Sequence, residues 1–445
     1  MNFALRAIPL AVAAALLSGH VVADTPIAAW TAGASAPTKA VFNAFRSNCF
    51  GLVAGAEPIT VYEQKAVSGL PGDTGTGNYF AYKCNFTPAK AGGLALVSDT
   101  AVTMWHTVEG GSFNIIQPPA NLQRINSALL TPLIPPAPCV PLLSPAVGVT
   151  LYGSCGLETP GISTTSPDGG YSDVDSGLFK DLLGATPVPL TTSAGVMQVF
   201  GVAVNDALYT AMQTAQGLPL TEQPSISKQA YLSIASSSAA GAWHTDWAAL
   251  LSPLVPGGPG TGKAINLCRR VSTSGSQASS NAYFLENPCR NGPLGGLLVP
   301  STAAETVPGQ YIVTEGASTG DVKTCLNTAN ATGNFAIGVM SAENTRGSSD
   351  KWKFVKLNGV SPNLDINQRK TGADGTYDFV VEMALRVRNS GKQTFYDELT
   401  KDMGDPGVTD LKGLFVTPGA FSYDGDKVGR GTKFGNNCQP QQLFF

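Results

Sequence analysis

Histidine is almost missing from this chain. Three occur in 445 residues, and His20 falls in the amino-terminal apolar stretch, which leaves His106 and His244. A multi-histidine metal site is therefore excluded, and a Ser-His-Asp hydrolase would have to use one of these two. His106 follows Trp105 in a strand-like run, and His244 sits between Trp243 and Trp247; both settings favour packing over catalysis. Charge is scarce as well, at 13% of residues with a net of −3. With no basic stretch to follow a phosphate backbone, nucleic acid is not an expected partner. There is no Cys-x-x-Cys pair, which disfavours zinc ribbons and thioredoxin-like redox sites, and no Gly-x-Ser-x-Gly elbow, which weakens an esterase reading. Gly257 to Lys263 has the glycines and lysine of a phosphate loop. It lacks the hydroxyl residue that would hold magnesium, and a strand rather than a helix is expected after it.

What is present points to export. Residues 1–23 have a short basic start at Arg6, an apolar stretch from Ala7 to Gly19 and small residues at Val21-Val22-Ala23. This reads as a signal peptide cleaved after Ala23, giving a periplasmic or secreted protein. No later run reaches the roughly 18 apolar residues of a membrane span. Eight cysteines, an even number in an exported chain, argue for disulfides. Pairing sequence neighbours gives Cys49–Cys84, Cys139–Cys155 and Cys268–Cys289, with Cys325–Cys438 left over. Glycine (50) and proline (31) are abundant, yet 43% of the chain is hydrophobic, so a loop-rich folded protein is expected.

β-like runs (93–97, 198–204, 264–267, 311–313, 336–340 and 352–357) alternate with helical patterns at 36–45, 205–214, 227–236 and 277–285; 377–387 reads as either. The alternation predicts an α/β fold with largely parallel sheets. Pro118-Pro119 and the run from Pro132 to Pro145 mark a Pro-rich insertion over about 118–165.

Three segments share one design, a small or hydroxyl residue in a tight turn before a helix: Gly33-Ala34-Ser35-Ala36, Gly110-Gly111-Ser112 and Ser274-Gly275-Ser276. Helix starts offer unpaired N–H groups and a positive dipole end, so several that converge make an anion cradle. Taken singly, each serine is more simply a helix cap. Arg270, four residues before Ser274 at a strand end, adds a planar fork of donors suited to a tetrahedral oxyanion. Ser172-Asp173 supplies the acidic counterpart.

In this order the motifs resemble those of the phosphate-type periplasmic substrate-binding proteins, the type II solute-binding family. Gly33 to Ala36 resembles the first ligand loop, with Ala36 where an aromatic residue is usual. Gly111-Ser112 resembles the second loop, and Ser172-Asp173 the Ser-Asp loop. Arg270-Val271-Ser272-Thr273-Ser274-Gly275-Ser276 is similar to the Arg-x-x-x-Ser-Gly-Thr loop, with Ser276 in place of threonine. Ala336-Ile337-Gly338-Val339 and Leu357 to Pro362 resemble later segments. The resemblance implies a two-lobed α/β fold with a ligand cleft between the lobes. Residues 24–200 and 341–445 would form one lobe and 201–340 the other. It also implies a small oxyanion, most simply phosphate, held by Ser35, Ala36, Ser112, Asp173, Arg270, Ser274, Gly275 and Ser276. No metal, cofactor or catalysis is implied; the partner would be the membrane component of an ABC transporter, and the protein a monomer. Two competing expectations remain: an adhesive or structural surface protein on the same fold, and a phosphatase-like hydrolase.

Overall fold

The computed structural model describes residues 24–49, 59–73, 75–130, 139–160, 166–179, 182, 196–236, 246–251, 260, 262–290, 297, 299–300, 311–362, 368–409, 414–416, 429–430, 436–440 and 443–444. The signal peptide expected over 1–23 lies outside them, as does His244. The chain forms two lobes, each built on its own sheet.

Along the chain come β1 (Ile27–Gly33), α1 (Thr38–Ser47), β2 (Ile59–Glu63), β3 (Tyr79–Phe86), β4 (Thr100–Thr107), α2 (Phe113–Ile116), β5 (Val140–Leu142), β6 (Val149–Gly153) and β7 (Gly169–Ser172). The chain then enters β8 (Val196–Asn205), α3 (Asp206–Ala215), α4 (Lys228–Ala235), β9 (Ile265–Arg270), α5 (Gly275–Leu285), β10 (Tyr311–Gly316), α6 (Thr319–Ala331), β11 (Phe335–Ser341) and β12 (Trp352–Phe354). Last come β13 (Val380–Glu382), β14 (Ala384–Val387), α7 (Gln393–Gly404) and β15 (Leu414–Val416). The first sheet runs β14-β7-β1-β4-β3-β2-β6-β5; the second runs β10-β9-β11-β8-β12, with β13 and β15 also paired to β8.

The sheets are mixed rather than largely parallel. β1 is parallel to both β4 and β7, whereas β3 and β4 are antiparallel. β9 is parallel to β10 and β11, whereas β8 and β11 are antiparallel. β8 reads as a near-continuous apolar run because all ten of its residues are buried, as a central strand covered on both faces requires. The β-like run at 93–97 is instead a short 3-10 turn, Gly92–Leu94. The Pro-rich insertion contributes β5 and β6, which extend the first sheet at its edge.

Helices cover both sheets. α1 places Val41, Phe42 and Phe45 in the first core, against Phe395, Leu399 and Met403 of α7. Phe42 and Phe45 are fully buried, which is worth about 1.5–3 kcal/mol each. α6 lays Val322 and Leu326 on Cys268, Ala336 and Trp352 of the second sheet. In the return segment, β12 and β13 belong to the second sheet, and the chain rejoins the first only at β14. The return is late because β8 is long enough to bind β11 and β12 along one stretch and β13 and β15 along another.

Four disulfides close the structure, the chemistry of an oxidising, extracytoplasmic compartment. Cys49–Cys84 and Cys139–Cys155 pair as sequence proximity suggests. The other two pairings differ from that expectation: Cys268 joins Cys325, and Cys289 joins Cys438. Cys268 is at the centre of β9, and Cys289 lies beyond the far end of α5. α6 packs back onto β9 and brings Cys325 to a Cα–Cα distance of 5.8 Å.

Candidate functional site between the lobes

The carboxyl ends of β1, β4, β7, β9 and β10 meet where the lobes touch, the usual position for ligand sites in α/β folds. Each strand runs through a short turn, and after β1, β4, β9 and β10 a helix follows: Ala34 to Pro37 precedes α1, Val108 to Ser112 precedes α2, Val271 to Ser274 precedes α5, and Ala317-Ser318 precedes α6. These turns bring together seven of the eight residues singled out in the sequence.

Arg270 is 2% exposed and crosses the interface, donating from Nη1 to Ser35 Oγ at 2.7 Å. Within its own lobe it donates to the Gly316 carbonyl from Nε (3.2 Å) and to the Ala317 carbonyl from Nη2 (2.7 Å). Burial pushes its guanidinium down to about 10, opposed by Asp173, so it stays charged at neutral pH. Asp173 is 1% exposed. Its backbone N–H donates to Ser112 Oγ at 3.0 Å, and its Oδ2 accepts from Ser276 Oγ at 3.1 Å. Its Oδ1 is buried with no hydrogen-bond partner among the described residues. Burial raises the carboxyl to about 6, with Arg270 and the Ser276 and Ser112 hydroxyls holding it down.

Two glycines make this approach possible. A β-carbon on Gly275 would collide with Ser112 Oγ and stand 2.7 Å from Asp173 Cβ. Gly111 has a φ of +76°, and a β-carbon there would come within 3.0 Å of Ser274 Cα. The backbone joins the lobes too, with the Phe113 N–H donating to the Thr273 carbonyl at 3.0 Å. Ala36 is the exception: it packs into the core of the second lobe and, with Ser35, lines a neighbouring cavity of about 180 Å³. The other six residues do not line that cavity.

The serines are not spent on capping. Ser112 and Ser274 occupy the N-cap positions of α2 and α5, yet neither side chain makes a cap hydrogen bond. By contrast, Ser227 accepts from Ala230 N and Ser318 closes a full capping box with Asp321.

Sequence reasoning missed the polar lining of the adjoining space: Lys39 and Asp73, paired at 3.0 Å, with Lys323, Glu343 and Asn344. Glu343 and Asn344 lie just past Ala342 at the end of the buried strand β11, a position that could have been read as a strand end. Lys323 and Asp73 carry no comparable local signal. His106 is 2% exposed, accepts or donates at Tyr82 Oη (3.2 Å) and is pushed down to about 3 by burial, so it stays neutral within the first core. Lys263, in the phosphate-loop lookalike, lies 5.1 Å over the Phe335 ring. Among the described residues, no cluster of His, Cys, Asp and Glu could hold a metal ion.

No protein-family model matches this chain, and no curated protein matches it. Solved structures do. An ABC-type phosphate transport receptor from Vibrio cholerae is 14% identical, with a TM-score of 0.30, and covers 55% of this chain and 79% of its own. Two structures of phosphate-binding protein from Stenotrophomonas maltophilia are each 16% identical, with TM-scores of 0.31 and 0.35. They cover 54% and 57% of this chain and 71% and 78% of their own. At this level of similarity, the function has to be argued from the site itself.

Proposed function

We propose that the protein is an exported solute-binding protein that holds a small oxyanion, phosphate, between its lobes. Ser35, Ser112, Asp173, Arg270, Ser274, Gly275 and Ser276 would supply the contacts, and Ala36 the wall beside them. The observation that carries this reading is Asp173 Oδ1, a buried carboxylate oxygen without a partner among the described residues, beside a buried arginine and serine hydroxyls that are not used as helix caps. An ionised carboxylate only accepts hydrogen bonds, so it favours a ligand that brings a proton. Phosphate is protonated near neutral pH, and sulfate is not. A sulfate oxygen facing Asp173 would meet an uncompensated buried charge, at a cost of several kcal/mol. For a ligand to enter, the lobes must part at the Ser276–Asp173 and Arg270–Ser35 contacts; they then re-form around the ion, and closure reports the loaded state. Delivery to the membrane component of an ABC transporter would follow.

One observation favours a second reading. Arg270 and Ser276 already bond across the interface to Ser35 and Asp173, as in a fixed latch of a structural or adhesive protein. Calorimetric titration of the intact protein separates the two. Phosphate is expected to bind with sulfate at least tenfold weaker, and Asp173→Asn to narrow that gap by supplying a donor. Equal affinities in the wild type would remove Asp173 from the site, and no binding of either ion would favour the latch.

A further inference from the structure

The space beside the cluster is larger than a free oxyanion needs. Two adjoining cavities of about 260 and 180 Å³ lie between the lobes and share Gly72, Asp73, Lys323, Glu343 and Asn344 in their walls. A tetrahedral oxyanion has five heavy atoms and fills about the volume of two waters, roughly 60 Å³. The smaller cavity begins at Ser35, whose hydroxyl accepts from Arg270, so it opens directly off the proposed anion contacts.

Both lobes contribute to its chemistry. Lys39 and Asp73 come from the first lobe, and Lys323 and Glu343 from the second. Glu343 is 6% exposed, and its Oε2 has no hydrogen-bond partner among the described residues. Burial pushes its carboxyl well above the usual range; Asp173 adds to the rise, while Lys39 and Lys323 oppose it. Glu343 is therefore within electrostatic reach of the anion contacts, and its unpartnered Oε2 is available to a polar group in the cavity. Among the described residues, neither cavity has an aromatic side chain in its wall. A nucleobase would find nothing to stack on, whereas a hydroxylated chain could donate to the side-chain oxygens of Thr38 and Asn78, whose own donors are taken by the Ser35 carbonyl and Glu109.

We propose that the interlobe site takes a phosphate monoester of a small polyol, with the phosphate at the Arg270–Asp173 cluster and the hydroxylated tail in the cavities lined by Lys39, Asp73, Lys323 and Glu343. This rests on the phosphate reading above and narrows it.

Titration of the full protein with inorganic phosphate, glycerol 3-phosphate and glycerol tests the proposal. Glycerol 3-phosphate is expected to bind at least tenfold more tightly than inorganic phosphate, and glycerol not at all. Glu343→Leu should reduce the advantage of the ester over inorganic phosphate to under threefold. Thr324→Trp, an exposed rim substitution that fills the cavity without disturbing the core, should do the same. Equal affinity for the two phosphates, or an ester advantage that survives both variants, overturns the proposal and leaves the phosphate reading standing. Failure of every phosphate species to bind the folded protein removes that reading itself.

Discussion

Helices α5 and α6 begin alike in sequence, with a serine just ahead of the first turn, yet they use it differently. Ser318 closes its own capping box with Asp321, so α6 is self-sufficient. Ser274 makes no cap bond, and the start of α5 is met instead by Asp173 from the other lobe, through Ser276. A helix start that is satisfied locally is a structural element. One that draws its partner from a separate lobe links the two lobes, and its satisfaction changes whenever they move.

The largest expected effect tests the linked helix start. Arg270→Met should lower stability by about 3–5 kcal/mol in denaturant unfolding at pH 7, because it leaves Asp173 buried without its cation. This is more than a binding defect: Arg270 also holds the Gly316 and Ala317 carbonyls, so it is part of the second lobe's scaffold. Adding Asp173→Asn to that variant should recover most of the loss. If the double variant is no more stable than the single one, the Asp173–Arg270 coupling is not the source.

An intermediate effect should appear in pH dependence. The Asp173 carboxyl is raised to about 6 in the fold, above its ordinary 3.8. A raised carboxyl favours the folded state below its unfolded value, and that advantage disappears as the pH rises through the folded value. The wild type should therefore lose about 2–3 kcal/mol relative to Asp173→Asn between about pH 4 and pH 7. A stability difference that stays flat over that range would mean that Asp173 is solvated.

The smallest effect sharpens the contrast between the helix starts. Ser318→Ala should cost about 1 kcal/mol through loss of its cap, while Ser274→Ala should stay within about 0.5 kcal/mol. Equal costs in thermal unfolding would mean that the two helix starts are satisfied in the same way.

Much of the core was legible in the sequence. The apolar run around Gln198–Val204 could only be a buried strand, and Asn205, Ser227 and Ser274 stood at true helix starts. The Arg270-to-Ser276 loop was legible because its charge, spacing and glycine are local properties. Less visible were the strands with weaker apolar runs, such as β3, whose Lys83 and Asn85 interrupt the pattern. The polar walls around Glu343 and Lys323 were not legible either, because they come from four separate stretches of chain. The disulfides Cys268–Cys325 and Cys289–Cys438 depend on where α6 and the tail pack, and neither is set by distance along the chain.

The sequence by itself determined an α/β chain rich in buried strands, the signature of an oxidised protein, and turns able to present unpaired donors at helix starts. These follow from side-chain periodicity, cysteine count and glycine placement, which act over a few residues. Only the tertiary structure decided that the Ser112, Asp173 and Ser276 turns meet across two lobes, that Oδ1 of Asp173 is left without a partner, and that a polar cavity adjoins it. The reason is physical: burial and desolvation depend on every element packed around a group, and no local stretch of sequence contains that information.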